Sequence, residues 1–218
     1  MSKCQPDAKI YAFEANPYVY NIFKDDIIQN FQNIQYIHAA ISNINGMIDF
    51  HVLKKIDETK YSKKRGYHSI YKRSCGGEYQ VIKVPSRKLS DFIKTKKITG
   101  FFSAWIDVEG AQREVLESIG PFLDQFACIY IEVEDFQNWK EQWLSFDIIK
   151  FLLLNGFIPI ARDFEYQMQY NIIFIKSHLF DNHLIKKLLV DYLSYGGNDL
   201  IIPKKTAPFD THKNKDLI

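Results

Sequence analysis

An α/β fold, one open and mostly parallel sheet with helices on both faces, is what this sequence predicts, and three observations predict it. Two apolar runs end in carboxylates and pass straight into helical patterns. Ile10-Tyr11-Ala12-Phe13 ends at Glu14 before a helix opening at Asn16-Pro17, and Ser103-Ala104-Trp105-Ile106 ends at Asp107-Val108-Glu109-Gly110 before Ala111, Val115, Leu116 and Ile119. A third run, Ala127-Cys128-Ile129-Tyr130-Ile131, also ends in acid, at Glu132. The last two predicted strands, 157–161 and 171–176, lie close enough to be antiparallel neighbours, which places an antiparallel strand near the C-terminal end of the sheet.

The elements follow in order. The strand at 10–13 reads as buried and parallel. The helix behind it takes Asn16 as N-cap and Pro17 at its first position, where the missing N–H costs nothing, and should bury Val19, Ile22, Phe23, Ile27 and Phe31. Strands at 34–40 and 47–53 flank Asn45-Gly46, a dipeptide that tolerates positive φ and predicts a hairpin. Residues 54–80 are irregular and basic, with Lys54, Lys55, Lys60, Lys63, Lys64, Arg65, Lys72 and Arg73 among Tyr61, Tyr67 and Tyr71. They read as a solvated surface insertion, or as a loop closing over an anionic acceptor. A strand at 79–84 and a helix at 88–96 lead to the strand before Asp107. Ser145 caps a helix that ends at Gly156, and Leu184, Ile185, Leu188, Leu189 and Leu193 read as the packing face of a last helix. Residues 1–202 form one domain in this reading, and 203–218 a flexible tail.

The 218 residues suffice for one domain burying roughly 70% of its unfolded surface. An apolar fraction of 46%, a charged fraction of 25% and a net charge of +2 suit a soluble globular protein and give no basic footprint for nucleic acid. Cys4, Cys75 and Cys128 form neither a disulfide framework nor a zinc pattern. No signal core or spanning segment is legible, so a cytoplasmic protein without a membrane partner is expected.

Acids just beyond the carboxyl ends of the strands of an open α/β sheet face the crevice where ligands bind. Asp107 is therefore the first candidate for chemistry, with Glu109 beside it; the alternative is that both merely favour the positive end of the following helix. Glu14 can accept ribose hydroxyls if its strand is the second of a nucleotide-binding unit, or it can be a solvated loop acid. Glu132 and Glu134 either line the same crevice, stand behind it or are simply solvated.

Three segments carry a resemblance: Tyr11-Ala12-Phe13-Glu14-Ala15-Asn16-Pro17; Ala39-Ala40-Ile41-Ser42 with Gly46 and Phe50; and Ile106-Asp107-Val108-Glu109-Gly110-Ala111 with Val115-Leu116. Together with Leu89, Asp91-Phe92 and Tyr170-Asn171-Ile172-Ile173-Phe174, they resemble the FkbM family of S-adenosylmethionine-dependent methyltransferases. The resemblance implies the class I methyltransferase sheet, Rossmann-like. It implies that Glu14 holds the cofactor ribose with Asn16 beside it and that Ala40 lies near the adenine. Asp107 would face methyl group and acceptor, and Glu109 would assist. The cofactor-binding set is then Glu14, Asn16, Ala40 and Asp107, the catalytic pair Asp107 and Glu109, and no metal is assigned. Ala15 and Trp105 depart from the family's usual proline and lysine. A glycine-rich cofactor turn should precede the ribose acid by about 20 residues, which falls ahead of Met1, and the first glycine is Gly46. The first strand is accordingly expected to be absent from this chain, whether as a fragment, a misplaced start or a degenerate homologue.

The expected activity is methyl transfer from S-adenosylmethionine to a hydroxyl of a small molecule or glycan. A catalytically inactive binding module is the rival. An oxidoreductase is disfavoured because no Gly-x-Gly-x-x-Gly occurs.

Overall fold

The structure, a computed structural model, describes residues 7–63, 67–163 and 167–196; the predicted tail at 203–218 lies outside them, as do Lys64 and Arg65. In chain order it contains β1 (Ile10–Glu14), α1 (Pro17–Asn30), β2 (Ile34–His38), β3 (Ala40–Ile41), β4 (Gly46–Ile56), β5 (Thr59–Lys60), β6 (Glu78–Arg87) and α2 (Leu89–Lys96). There follow β7 (Phe102–Ile106), α3 (Gln112–Ile119), a 3₁₀ turn at Gly120–Gln125, β8 (Phe126–Glu134), α4 (Ser145–Leu154), β9 (Phe157–Arg162), β10 (Gln169–Lys176) and α5 (His183–Gly196). The strands form three hydrogen-bonded sheets, β1-β2, β3-β6-β4-β5 and β7-β8-β10-β9, in place of the single sheet expected. Pairing is mixed. β1-β2, β3-β6 and β7-β8 are parallel, whereas β4-β5, β4-β6, β8-β10 and β9-β10 are antiparallel.

The described residues group into two compact units. In the first, β1 and β2 run parallel in a register that sets Glu14 opposite His38. Between them α1 begins as its sequence requires: the Asn16 side chain accepts from the Tyr18 N–H at 3.0 Å, and Pro17 follows with φ already fixed. The helix does not bury the face predicted for it. None of its residues is fully buried, and Ile22 and Phe23 are exposed, because α1 rests on a sheet only two strands wide. The β1 strand is likewise half-buried along its length, not enclosed.

The hairpin expected at Asn45-Gly46 does not form either. β3 runs parallel to β6, and β4 pairs antiparallel with β6 from Gly46↔Ser86 onward. Asn45 reaches away from the turn, donating to Asp91 at 2.6 Å and accepting from the Lys88 N–H at 2.9 Å. Those two bonds tie it to the start of α2. The apolar cluster here is Ala40, Phe50, Val52 and Val84, with Ala15, Tyr18, Ile48, Ile70 and Ile82 packed on it.

The basic stretch after β4 is not a solvated insertion throughout. His68, Ser69 and Arg73 are among the most buried polar residues of the chain. His51 and Ser69 exchange backbone hydrogen bonds, which lays the segment along β4, and the ring of buried His68 accepts from the Leu53 N–H at 3.1 Å. This accepting role and its burial both disfavour the charged imidazole, and burial lowers the pKa. From there the chain reaches the segment that follows β8. Ser74 N–H donates to Asn138, Lys140 N–H to Lys72, and Trp139 stacks under the Arg73 guanidinium at 3.8 Å.

In the second unit β8 is flanked by β7 on one side and β10 on the other, and β9 closes the edge. The antiparallel β9-β10 pair is the one predicted from the short connection. One face of this sheet is apolar and enclosed: Ile106, Ile129, Ile131, Val133, Ile172 and Phe174 are buried, and α4, lying against β8 and β9, buries Ile148 and Leu152. Ser145 does not cap α4; its hydroxyl donates to Asp135, and the Asp147 carboxylate accepts from the Leu144 N–H instead. Along α5, Leu184 and Leu188 are exposed, Ile185 and Leu189 half-buried, and the Leu193 side chain lies outside the description, so the predicted packing face is only partly used. Among the described residues no helix is long and apolar enough to cross a membrane.

Gly110 is the tightest glycine. Its φ is +89°, and an added Cβ would lie 2.5 to 2.7 Å from the buried Trp139 side chain. Gly110→Ala is expected to cost about 2 to 4 kcal/mol, since both overpacking and a left-handed backbone oppose it. A urea denaturation midpoint equal to wild type would contradict this placement.

Candidate functional site

Glu14 ends β1 and is half-buried. One oxygen of its carboxylate accepts from the Asn16 N–H at 2.7 Å, so the acid is held at the strand end by the first turn of backbone after it. Asn16 is 3% exposed, and both ends of its amide are engaged: the oxygen caps α1, and the nitrogen donates to the Lys63 carbonyl at 2.8 Å. What Asn16 offers a ligand is therefore the orientation of Glu14 through its N–H. Beside them Tyr36 on β2 has its phenol pushed up to about 12, by burial first and by the negative charge of Glu14 second. Ala40 is 6% exposed and lies in the apolar cluster, its methyl against Phe50, Val52 and Val84 rather than open space.

Glu109 belongs to the same unit and opens the turn into α3. Its φ is +51°, a left-handed conformation that a residue other than glycine holds only when its surroundings compel it. The compulsion is visible. Ser69 donates its hydroxyl to the Glu109 carbonyl at 2.6 Å, and the buried Arg73 guanidinium stands 3.9 Å from the Glu109 carboxylate. One turn further, the Tyr71 hydroxyl donates to Glu114, and burial together with that acid raises the Tyr71 pKa. Ser69, Tyr71 and Arg73 thus clamp the turn 109–114. Sequence reasoning missed all three, because a buried arginine inside a run of lysines looks like one more solvated charge.

Asp107 lies in the second unit, directly after β7. The parallel register pairs Ile106 with Ile131, so the next residues, Asp107 and Glu132, come off neighbouring strands side by side. Strands in a sheet are about 4.8 Å apart, so the two carboxyls act on each other: Asp107 raises the Glu132 pKa, and Glu132 lowers that of Asp107. Asp107 is open to solvent at its outer side, yet protein crowds the other side; that loss of water raises its pKa, and Glu132 opposes the rise. Glu132 sits deeper. Burial, and then the charges of Asp107 and Glu134, push its pKa up to about 8. Of the two, Glu132 is the one whose burial and acidic neighbours favour the protonated form. Its other oxygen environment comes from β10, where buried Gln169 donates to Glu132 Oε1 at 2.8 Å. Glu134, two residues on, is 2% exposed. Outward along the same face the ring of Trp105, 61% exposed, meets Tyr130 edge-on at 5.6 Å.

The structure thus joins Asp107 to Glu132, places Glu109 with Arg73, and keeps Glu14 with Asn16; Glu14, Asn16, Ala40 and Glu109 fall in one compact unit and Asp107 in the other. Among the described residues no three His, Cys, Asp or Glu side chains converge as metal ligands would.

Comparison with known proteins gives these clusters a context. Residues 1–159 match the family model described as the methyltransferase FkbM domain. A curated relative, the 2-O-methyltransferase NoeI of Sinorhizobium fredii, is 25% identical over 172 residues, which cover 76% of this chain and 66% of that protein. The chain therefore spans just under two thirds of the relative's length. No solved structure matches it. Since the family model covers 159 of the 218 residues, with β1, the Asp107 turn and β8 inside the match, the chain belongs to the FkbM methyltransferase domain family.

Proposed function

We propose that this chain is an S-adenosylmethionine-dependent O-methyltransferase acting on a hydroxyl of a small molecule or glycan, with its sheets forming part of a class I methyltransferase core. The observation that carries the reading is the solvent-facing Asp107, directly after a parallel strand and paired with a second carboxyl. The name of the relative NoeI, a 2-O-methyltransferase, supports oxygen as the accepting atom.

The residues present suit such a cofactor. Glu14 is a fixed, half-buried carboxylate whose geometry matches a vicinal diol, and Asn16 N–H keeps it aimed. Ala40, small and packed in the apolar cluster with Ala15, would border the base. When bound, the cofactor supplies an electrophilic methyl on a cationic sulfur. Asp107 orients the acceptor hydroxyl and receives its proton as the oxygen commits to the methyl carbon. Alignment of acceptor and methyl supplies the larger share, because orientation can contribute roughly 7 to 11 kcal/mol. Glu109, its turn held by Ser69 and Arg73, keeps a fixed negative charge just before α3.

Two substitutions test the assignment on the full-length protein. Glu14→Ala removes charge-assisted hydrogen bonds worth roughly 1.5 to 3 kcal/mol each, so calorimetry should record S-adenosylmethionine binding at least about tenfold weaker. An unchanged affinity sinks the ribose role. Asp107→Asn keeps the shape and removes the charge, and turnover should fall on the order of a hundredfold with little change in cofactor affinity. Equal losses in both would make Asp107 a cofactor ligand instead.

A further inference from the structure

We propose that Glu132 is a positioning residue of the acceptor site: it shares one proton with Asp107, and the two carboxyls act as a single base toward the acceptor hydroxyl, an inference that rests on the methyltransferase reading above. Three features of the second unit carry it. The β7-β8 register sets Asp107 beside Glu132 with no residue between them. From the far side, β10 presents Gln169, whose Nε2 holds Glu132 Oε1 at 2.8 Å, while the buried Gln169 Oε1 has no hydrogen-bond partner among the described residues. That bond holds the Glu132 carboxyl in place from the side away from β7. Finally, Glu134 follows on the same face of β8, so a third acid opposes full ionisation of the pair.

The groups acting on Glu132 can be named element by element. Asp107 comes from β7, and Glu134 and Tyr130 from β8. β10 contributes the neutral Gln169 and Asn171, with Asp163 bonded to both Asn171 and Tyr130. The charges that shift Glu132 are thus negative, and together with burial they favour its protonated form.

The chemical consequence follows from coupling. A lone carboxylate of ordinary pKa is a feeble base for an alcohol. Two carboxylates forced together regain a proton readily, because the first one bound removes their repulsion, and the apparent value near 8 belongs to the pair. In the step itself the acceptor O–H bond breaks and its proton joins the doubly ionised pair through Asp107. The oxygen's freed electron pair forms the bond to the methyl carbon. The carbon–sulfur bond breaks with its electrons kept by sulfur, which becomes neutral.

The stability signature has a definite sign. The folded chain keeps on Glu132 a proton that the unfolded chain releases near 4.5, so this contribution is complete below about pH 4.5 and is lost as pH rises through about 8. Melting the full-length protein from pH 5 to 9, without cofactor, should show that decline in wild type and its loss in Glu132→Gln. Gln169→Leu, which removes a bond favouring the ionised form, should move the midpoint of the decline to higher pH. Turnover of S-adenosylmethionine with methyl glycosides as probe acceptors should rise through about pH 8 in wild type. In Glu132→Gln it should be level above about pH 6, and about tenfold or more lower at pH 8. Melting profiles that neither variant alters overturn the shared proton. Altered melting with an unchanged alkaline rise in turnover overturns the joint base. No turnover at any pH, with melting as expected, removes the methyltransferase reading and the base role with it, while the shared proton stands on the melting data alone.

Discussion

Two carboxyl groups brought side by side, one open to water and one deeper in the sheet, cannot both ionise without a penalty, and the second unit is arranged around that constraint. Its source is the parallel register of β7 on β8, which delivers Asp107 and Glu132 at the same level of the sheet. A one-residue slip would turn one of them to the opposite, apolar face, and an antiparallel pairing would carry Asp107 to the other end of β8. That opposite face holds the register in turn, since Ile106, Ile129, Ile131 and Val133 are buried there and none can rotate outward cheaply. β10, running antiparallel on the other side of β8, adds Gln169 from the one direction that leaves Asp107 open. The acid pair is therefore a product of sheet packing, not of a flexible loop.

The first unit solves a different problem. A strand must end and a helix begin within a few residues while an acid is held in a fixed place. At Glu14 a local device is enough: Asn16 both caps the helix and, through its own N–H, fixes the acid two residues earlier. At Glu109 the devices come from far along the chain. The turn is held from a distance of some forty residues in sequence by Ser69 and Arg73, with Trp139 packed against Gly110. This contrast explains what the sequence could reveal. Strand-acid-helix junctions, the Asn16-Pro17 cap and the antiparallel β9-β10 pair depend on neighbours in the chain, and each was legible. The Glu132 carboxyl was legible as a strand-end acid, but not its proton, which depends on register. The clamp was not legible at all, because Ser69, Tyr71 and Arg73 acquire meaning only through residues far along the chain. The Asn45-Gly46 hairpin failed for the same reason: the signal was local, and the bonds from Asn45 to Asp91 and Lys88 that overrode it were not. Burial of α1 and α5 was over-read because helical periodicity gives the apolar stripe, and not the width of sheet beneath it.

The left-handed backbone at Glu109 sets conformational demand against chemical demand at one position. Glycine, asparagine and aspartate are the residues that accept such a φ most readily. Glycine and asparagine would discard the carboxylate that faces Arg73, and aspartate would withdraw it by one methylene from a guanidinium already 3.9 Å away. Drift among relatives that no longer use this acid should therefore run toward glycine or asparagine, which relax the backbone, and only continued use of the charge opposes that drift. The residue found at this position in a homologue becomes a record of whether its turn still keeps a charge for the buried arginine.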